Sequence, residues 1–405
     1  MNYHRFIIAI AVVLSVLTVN GQNTDGGEDF LLSSIERNNT TLIALRTEAE
    51  ARKLENRTGI TLADPEVGYK HMWEGGEESG NLSELTVTQS IDLATVMGQR
   101  TRVAREQNLL IDEEYRMARM EILLDAQLTL VDLAYYNALA AELDRRLGHA
   151  RRVVEAERTR LESGDTDALS HNNVLLSLSA LEAEEARIDM ERNVLIARLT
   201  ALNGGVTLDN LESLDALEFL EFLDNLDNLD FSSWYAEAEA HLPQLAQARQ
   251  LSEVRSGELA LAKASHLPSL SATYINERHT VGTRSQGVAV GVSIPLWANK
   301  NRVRSARTAL QAAEAQQTDA ELQLRSAFEQ EFTRVKGLHH TAMLYRRALD
   351  EANNSTLLEK AMDEGYISVL EYLQGIELYY DYLDRSLSAD RDYHRALATL
   401  EAWRL

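Results

Sequence analysis

The chain has no cysteine, four prolines in 405 residues and a shortage of positive charge, with 40 Lys and Arg against 63 Asp and Glu and a formal charge of −23. Without cysteine there are no disulfides, thiolate zinc sites, iron–sulfur clusters or cysteine nucleophiles, and nothing to carry the acyl chains of a bacterial lipoprotein. The acidity repels phosphate backbones, so no nucleic-acid partner is expected. Long apolar runs are also missing. Beyond the amino terminus no stretch reaches 18 apolar residues, so membrane contact must come from strands or an amphipathic face.

What is present begins with a secretory signal. Arg5 precedes an apolar run from Phe6 to Leu17, and Val19-Asn20-Gly21 offers small residues before Gln22. About a dozen apolar residues fall short of the roughly 20 that a spanning helix needs, so residues 1–21 are expected to be cleaved. That removes one Arg and leaves a mature chain near −24.

The remainder repeats itself. Asp64-Pro65-Glu66-Val67 recurs 203 positions later as Leu267-Pro268-Ser269-Leu270, and Ser90-Ile91-Asp92-Leu93 as Ser293-Ile294-Pro295-Leu296. Thr40 and Leu42 correspond to Pro243 and Leu245 at the same offset. A constant shift over separated blocks indicates duplication. The domains expected are a first repeat at 22–204, an acidic linker at 205–231 and a second repeat at 232–405. Each repeat reads helix, strand, strand, long helix, turn, helix.

Strands are expected near 65–73, 83–92, 268–277 and 286–296, with 74–81 and 277–286 as hairpin loops. Leu85, Val87 and Ile91 share one face of their strand. Val288, Val290, Val292 and Ile294 alternate with Ala289, Gly291 and Ser293, which are small enough for a narrow interior. Helices are expected to run unbroken from about 93 to 162 and from about 298 to 363, each roughly 100 Å long at 1.5 Å per residue. After Gly164, the residues Val174, Leu181, Ile188, Leu195 and Leu202 recur every seven positions, as do Val369, Ile376 and Leu383 after Gly365. Those are coiled-coil seams. Between the halves, Leu208 to Phe231 repeats leucine, acid, any residue eight times. Lacking the glycine turns that converge oxygen ligands on a cation, it reads as a linker.

Chemistry is sparse. No phosphate-cradling glycine loop, Gly-x-Ser-x-Gly elbow or His-Glu-x-x-His pair occurs, so no catalysis, cofactor or metal is expected. His339 and His340 are adjacent and point in different directions on a helix. Four strands with an apolar face cannot close a barrel of ordinary width, so if they span a membrane they must be shared between subunits.

In this order of hairpin openings, strand ends, the stretch Gly98-Gln99-Arg100-Thr101-Arg102 and the turns Glu162-Ser163-Gly164-Asp165 and Glu364-Gly365-Tyr366-Ile367-Ser368, the mature chain resembles the TolC-type outer-membrane efflux family. The resemblance implies a mainly α fold with a small β part: a long-helix α-barrel and a twelve-stranded transmembrane β-barrel shared by a homotrimer. It implies an outer-membrane location with a periplasmic tunnel, a periplasmic adaptor and an inner-membrane pump as partners, and passive export of small molecules, either drugs or metal ions. A type I protein-secretion channel or a soluble periplasmic adaptor are the alternatives. On this reading Val87, Val288, Val290, Val292 and Ile294 face lipid. The periplasmic tip, where the adaptor docks, comprises Gly164, Asp165, Thr166 and Asp167 with Asp363, Glu364, Gly365, Tyr366 and Ser368. No lipid anchor is expected. The acids Asp165, Asp167, Asp363 and Glu364 are expected to form rings that favour cations.

Overall fold

The computed structural model describes residues 26–405 apart from 59, 74–80, 209, 210, 212–229, 281, 298 and 353. The signal segment, the first hairpin loop and most of the leucine-acid triplets lie outside the described residues. The elements run α1 (Gly26–Asn38), α2 (Thr40–Thr58), β1 (Glu66–Met72), β2 (Leu82–Ile91), α3 (Ala94–Ser163), α4 (Ala168–Leu202), α5 (Phe231–Glu239), α6 (Pro243–Ala264), β3 (Ser269–His279), β4 (Arg284–Ser293), α7 (Arg302–Glu351), α8 (Ser355–Asp363) and α9 (Val369–Glu401). Thr40 and Pro243 each open a helix, and Glu66 and Ser269 each open a strand, 203 positions apart in both cases.

The first long helix is continuous, 70 residues or about 105 Å. The second is not: α7 stops at Glu351 and a separate nine-residue helix, α8, leads to the turn. The expectation of one unbroken rod to residue 363 is thereby corrected. The cause lies in the sequence Asn353-Asn354-Ser355, residue types whose short polar side chains compete for backbone hydrogen bonds and favour caps over helix interiors. Ala352 leaves the helical region at φ −123°, ψ 45°.

Rods this long cannot surround a single core, and the apolar contacts fall into separate clusters along them. Leu32, Ile35, Leu130, Leu133 and Leu199 join α1, α3 and α4. Trp234, Phe332, Val335, Tyr393 and Leu400 join α5, α7 and α9. Leu143, Leu147 and Ile188 follow, and Val153, Val174, Tyr372 and Ile376 close the far end. The seven-residue seams supply these clusters: Val174 and Ile188 are buried, and Leu181, Leu195 and Leu202 pack at their edges. Burying each such side chain contributes about 1.5–3 kcal/mol.

At the near end the strands form one antiparallel sheet in the order β1-β2-β3-β4. Two expectations shift here. Polar residues Arg284, Ser285 and Gln286 pair with Arg278, Glu277 and Asn276, so the strands extend to His279 and Arg284, and Gly282 at φ 97° donates its N–H to the His279 carbonyl. Backbone pairing extends the ladder past the apolar stretch that marked the strands in sequence. In the other direction β4 ends at Ser293, paired with Ser269. Ile294 therefore stands just beyond the strand, because Pro268 and Pro295 lack the N–H groups needed to continue the ladder.

Candidate functional site

The register settles how the sheet presents its two faces. Val67 pairs with Val87, Val87 with Tyr274, and Tyr274 with Val288, so an apolar row crosses all four strands. Beside it run Tyr69 and Leu85, then Ala272 with Val290, and Ile91 and Leu270 with Val292. Val288 and Val290 are about three-quarters exposed, at 77% and 75%. A contiguous apolar surface of this extent marks contact with lipid or protein.

The opposite face is small and hydroxylated. Thr88 and Thr273 hydroxyls meet at 3.0 Å, and Thr86 donates to the Gly68 carbonyl at 3.3 Å. A Cβ on Gly291 would fall 2.5 Å from the Ser271 hydroxyl, and one on Gly68 2.7 Å from Thr86 Oγ1. β2, β3 and β4 have 10, 11 and 10 residues, the length of a tilted membrane-spanning strand. β1 and β4 are edges and present unpaired backbone groups to whatever lies beside them. Among the described residues no helix is long and apolar enough to cross a membrane.

At the far end the chain reverses at two turns. Gly164 takes φ 81°, with its N–H and that of Asp165 returning to the carbonyls of Leu161 and Arg160. Gly365 takes φ 76°, and Tyr366 N–H reaches the Ala361 carbonyl. Both close a helix through the left-handed conformation that glycine adopts most readily. Asp167 caps α4 by accepting the Ser170 N–H at 2.8 Å, and this bond holds its carboxyl below the usual range. Asp165 accepts the Ser163 hydroxyl, and Thr166 donates to Glu157, a buried carboxylate also held by Arg160 at 2.6 Å. Ser368 and Glu371 form a reciprocal capping box at the start of α9. Asp363, Glu364 and Tyr366 are exposed to solvent, Tyr366 at 78%.

The tip residues chosen from sequence thus occupy two turns, but Asp165 and Asp167 are engaged within their own turn. Sequence reasoning passed over a contact that joins the two helical hairpins. The Tyr372 hydroxyl and His149 Nε2 are hydrogen-bonded at 2.5 Å, linking α9 to α3, while His149 Nδ1 lies 3.2 Å from Glu359 of α8. Burial lowers the His149 pKa, aided by Arg152 and opposed by Glu359 and Asp363, and burial raises that of Tyr372. A signal existed: Tyr372 sits between Val369 and Ile376 at the three-then-four spacing of a seam. Nearby, Arg146 grips Asp384 through two bonds at 2.7 and 3.0 Å with its guanidinium over the Tyr380 ring. Among the described residues no three His, Asp or Glu side chains gather as a metal site would require.

Residues 234–403 match the family described as outer membrane efflux protein. No curated protein matches the chain. In fold, a membrane protein from Pseudomonas aeruginosa is similar over 100% of this chain and 96% of its own, with a TM-score of 0.75 and 16% identity. CusC, described in connection with transmembrane channel formation, is similar over 100% and 98%, with a TM-score of 0.74 and 13% identity. The MtrE outer membrane channel of Neisseria gonorrhoeae, in its open state, is similar over 93% and 88%, with a TM-score of 0.68 and 15% identity.

Proposed function

We propose, from the match of residues 234–403 to the family described as outer membrane efflux protein, that the chain is the outer-membrane channel of an efflux system. It works as a passive duct, a homotrimer that receives small molecules from an inner-membrane pump through a periplasmic adaptor. The observation that carries this reading is the four-stranded sheet, exposed and apolar on one face, hydroxylated on the other and open at both edges. Unpaired strand edges in hydrocarbon cost several kcal/mol per group, so the sheet reaches lipid only by closing with other copies, and three give twelve strands.

The remaining geometry supplies the periplasmic part. A continuous helix of about 105 Å carries the chain from the sheet to the paired glycine turns. The adaptor docks at those turns, where Tyr366, Asp363 and Glu364 are exposed. Such a protein lowers no chemical barrier; it offers a water path while the pump supplies the energy. The two repeats, 22–204 and 232–405, flank the linker at 205–231 in the equatorial region, and the 203-residue spacing of helix and strand starts supports that division.

Reconstitution tests the reading. The full chain, extracted from outer membranes with detergent and added to planar bilayers, should form trimers and conduct. A monodisperse, water-soluble monomer without conductance would refute it.

A further inference from the structure

The two long helices open on the same basic spacing. Arg100-Thr101-Arg102-Val103-Ala104-Arg105 near the start of α3 recurs 202 positions later as Arg302-Val303-Arg304-Ser305-Ala306-Arg307 at the start of α7. In the first copy every arginine has a carboxylate: Asp92 lies 2.7 Å from Arg100, Glu106 3.0 Å from Arg105 and Glu253 3.8 Å from Arg102. In the second copy two of those acids are gone, since Pro295 stands for Asp92 and Thr308 for Glu106. Arg302 donates to the Asn299 amide oxygen at 3.4 Å. Neither it nor Arg304, Arg307 and the neighbouring Lys300 meets a carboxylate among the described residues, and all four are exposed.

These four cations fall within eight residues of a chain whose net charge is −23. They do not serve the helix. No acid stands in the first turn of α7 and Asn301 makes no capping bond, while positive charge at a helix start opposes the dipole. Beside them the exposed apolar row of β4, Val288, Val290 and Val292, continues through Ile294 and Leu296 to Trp297, which is 81% exposed. The first copy has Ala94 at that position. Buried Asn299 donates to the Ser265 carbonyl and fastens this loop to the end of α6.

We propose that Trp297, Lys300, Arg302, Arg304 and Arg307 form a lipid-binding rim in each copy, which holds the phosphate head groups of anionic phospholipids at the helix-side edge of the membrane. The inference rests on the channel reading above, which puts β4 in the bilayer. The headgroup layer is about 5–8 Å deep, and Arg302 to Arg307 span about 8 Å along the helix axis, so their long side chains reach it. Guanidinium groups bind phosphate oxygens in pairs, and an indole, apolar in body and polar at one edge, settles where hydrocarbon meets head groups. The apolar row and Trp297 beside the cations favour lipid over an acidic protein surface.

The test uses the full chain purified in dodecyl maltoside, with fluorescent phosphatidylglycerol and phosphatidylcholine as probes. Wild type should bind phosphatidylglycerol about ten-fold more tightly, as several cations near anionic head groups require, and raising sodium chloride from about 0.1 to about 0.5 M should remove most of that preference. Lys300→Gln with Arg302→Gln, Arg304→Gln and Arg307→Gln should bring the two lipids to near-equal affinity. Arg100→Gln with Arg102→Gln and Arg105→Gln, whose charges are already paired, should keep most of the preference. Inorganic phosphate should not displace the lipid. The salt series needs no variant, so it decides even where the fourfold exchange does not assemble. A conducting wild type that holds both lipids equally, a preference that survives salt or the fourfold exchange, an equal loss from both sets of variants, or ready displacement by phosphate overturns the inference and leaves the duct intact. A wild type that never conducts in planar bilayers overturns the duct reading and the inference with it.

Discussion

His394 is the side chain whose protonation the fold opposes most clearly. It is buried in α9, and burial, with Arg346 adding to it, pushes its pKa down to about 3 from an ordinary 6.5. A histidine lowered in the folded state stabilises above its unfolded pKa, and that contribution is lost as pH falls from about 6.5 toward 3, by up to about 1.4 kcal/mol per pH unit. His394→Phe, which keeps a ring beside Tyr393, should therefore lose less stability than the wild type between pH 7.5 and 5, as read by thermal midpoints in detergent. Two glycines at positive φ are held there for different reasons. At Gly164 an added Cβ meets nothing within 4 Å, so only the left-handed backbone favours glycine. At Gly204 the Cβ would stand 2.3 Å from the Asn38 carbonyl oxygen, so close approach of the end of α1 excludes any side chain as well.

Among the elements, strand β4 and the two turns carry opposite liabilities. Val290 lies on the apolar face, where a cation at the bilayer midplane costs about 2–4 kcal/mol in every copy. Val290→Arg should leave the chain out of the outer-membrane fraction, whereas Thr88→Lys, on the hydroxylated face, should still insert. Equal insertion of both variants would reject the assignment of faces. At the turns, Gly164→Val with Gly365→Val forces two branched residues into the left-handed region. The expected outcome is loss of export with the trimer retained in the membrane, since neither turn lies near the sheet. Normal export by that double variant would remove the turns from adaptor docking. The hydrogen bonds that Asp165 and Asp167 accept within their turn do not cancel their charge. Changing these two to Asn, with Asp363→Asn and Glu364→Gln, should shift the reversal potential in a salt gradient toward non-selectivity, and an unchanged potential would dispose of the acid rings.

For the whole molecule, the absence of one central core means that stability is distributed along the rods. The cluster of Val153, Val174, Tyr372 and Ile376 holds the tip, while Leu31, Leu32 and Ile35, packed with Leu130 and Leu199, hold the middle. Loosening one cluster should therefore open one level of the rods and spare the others. Tyr372→Phe removes the hydroxyl bonded to His149 but keeps the ring in its cluster. Hydrogen exchange in the detergent-extracted protein should rise at the tip end of α3 and the start of α9 and stay unchanged in the sheet. Faster exchange throughout would mean that the rods unfold as one unit.

Period and spacing made much of this architecture legible in the sequence. Seven-residue seams marked the packed faces of α4 and α9, two-residue alternation marked the strands, and glycines marked the turns, because each of these depends on the local geometry of one element. The end of α7 at Glu351 had a signal too, in Asn353-Asn354-Ser355, though it is weaker than a proline. Tertiary structure alone decided the rest. The register that aligns Val67, Val87, Tyr274 and Val288 into one row depends on two local hairpins and on the pairing of β2 with β3, where Val87 meets Tyr274 from the other half of the chain. The pairings of Tyr372 with His149 and of Arg146 with Asp384 likewise join side chains far apart in sequence. No periodicity within a single element encodes which partner will stand opposite it; that follows only once the helices and strands have packed.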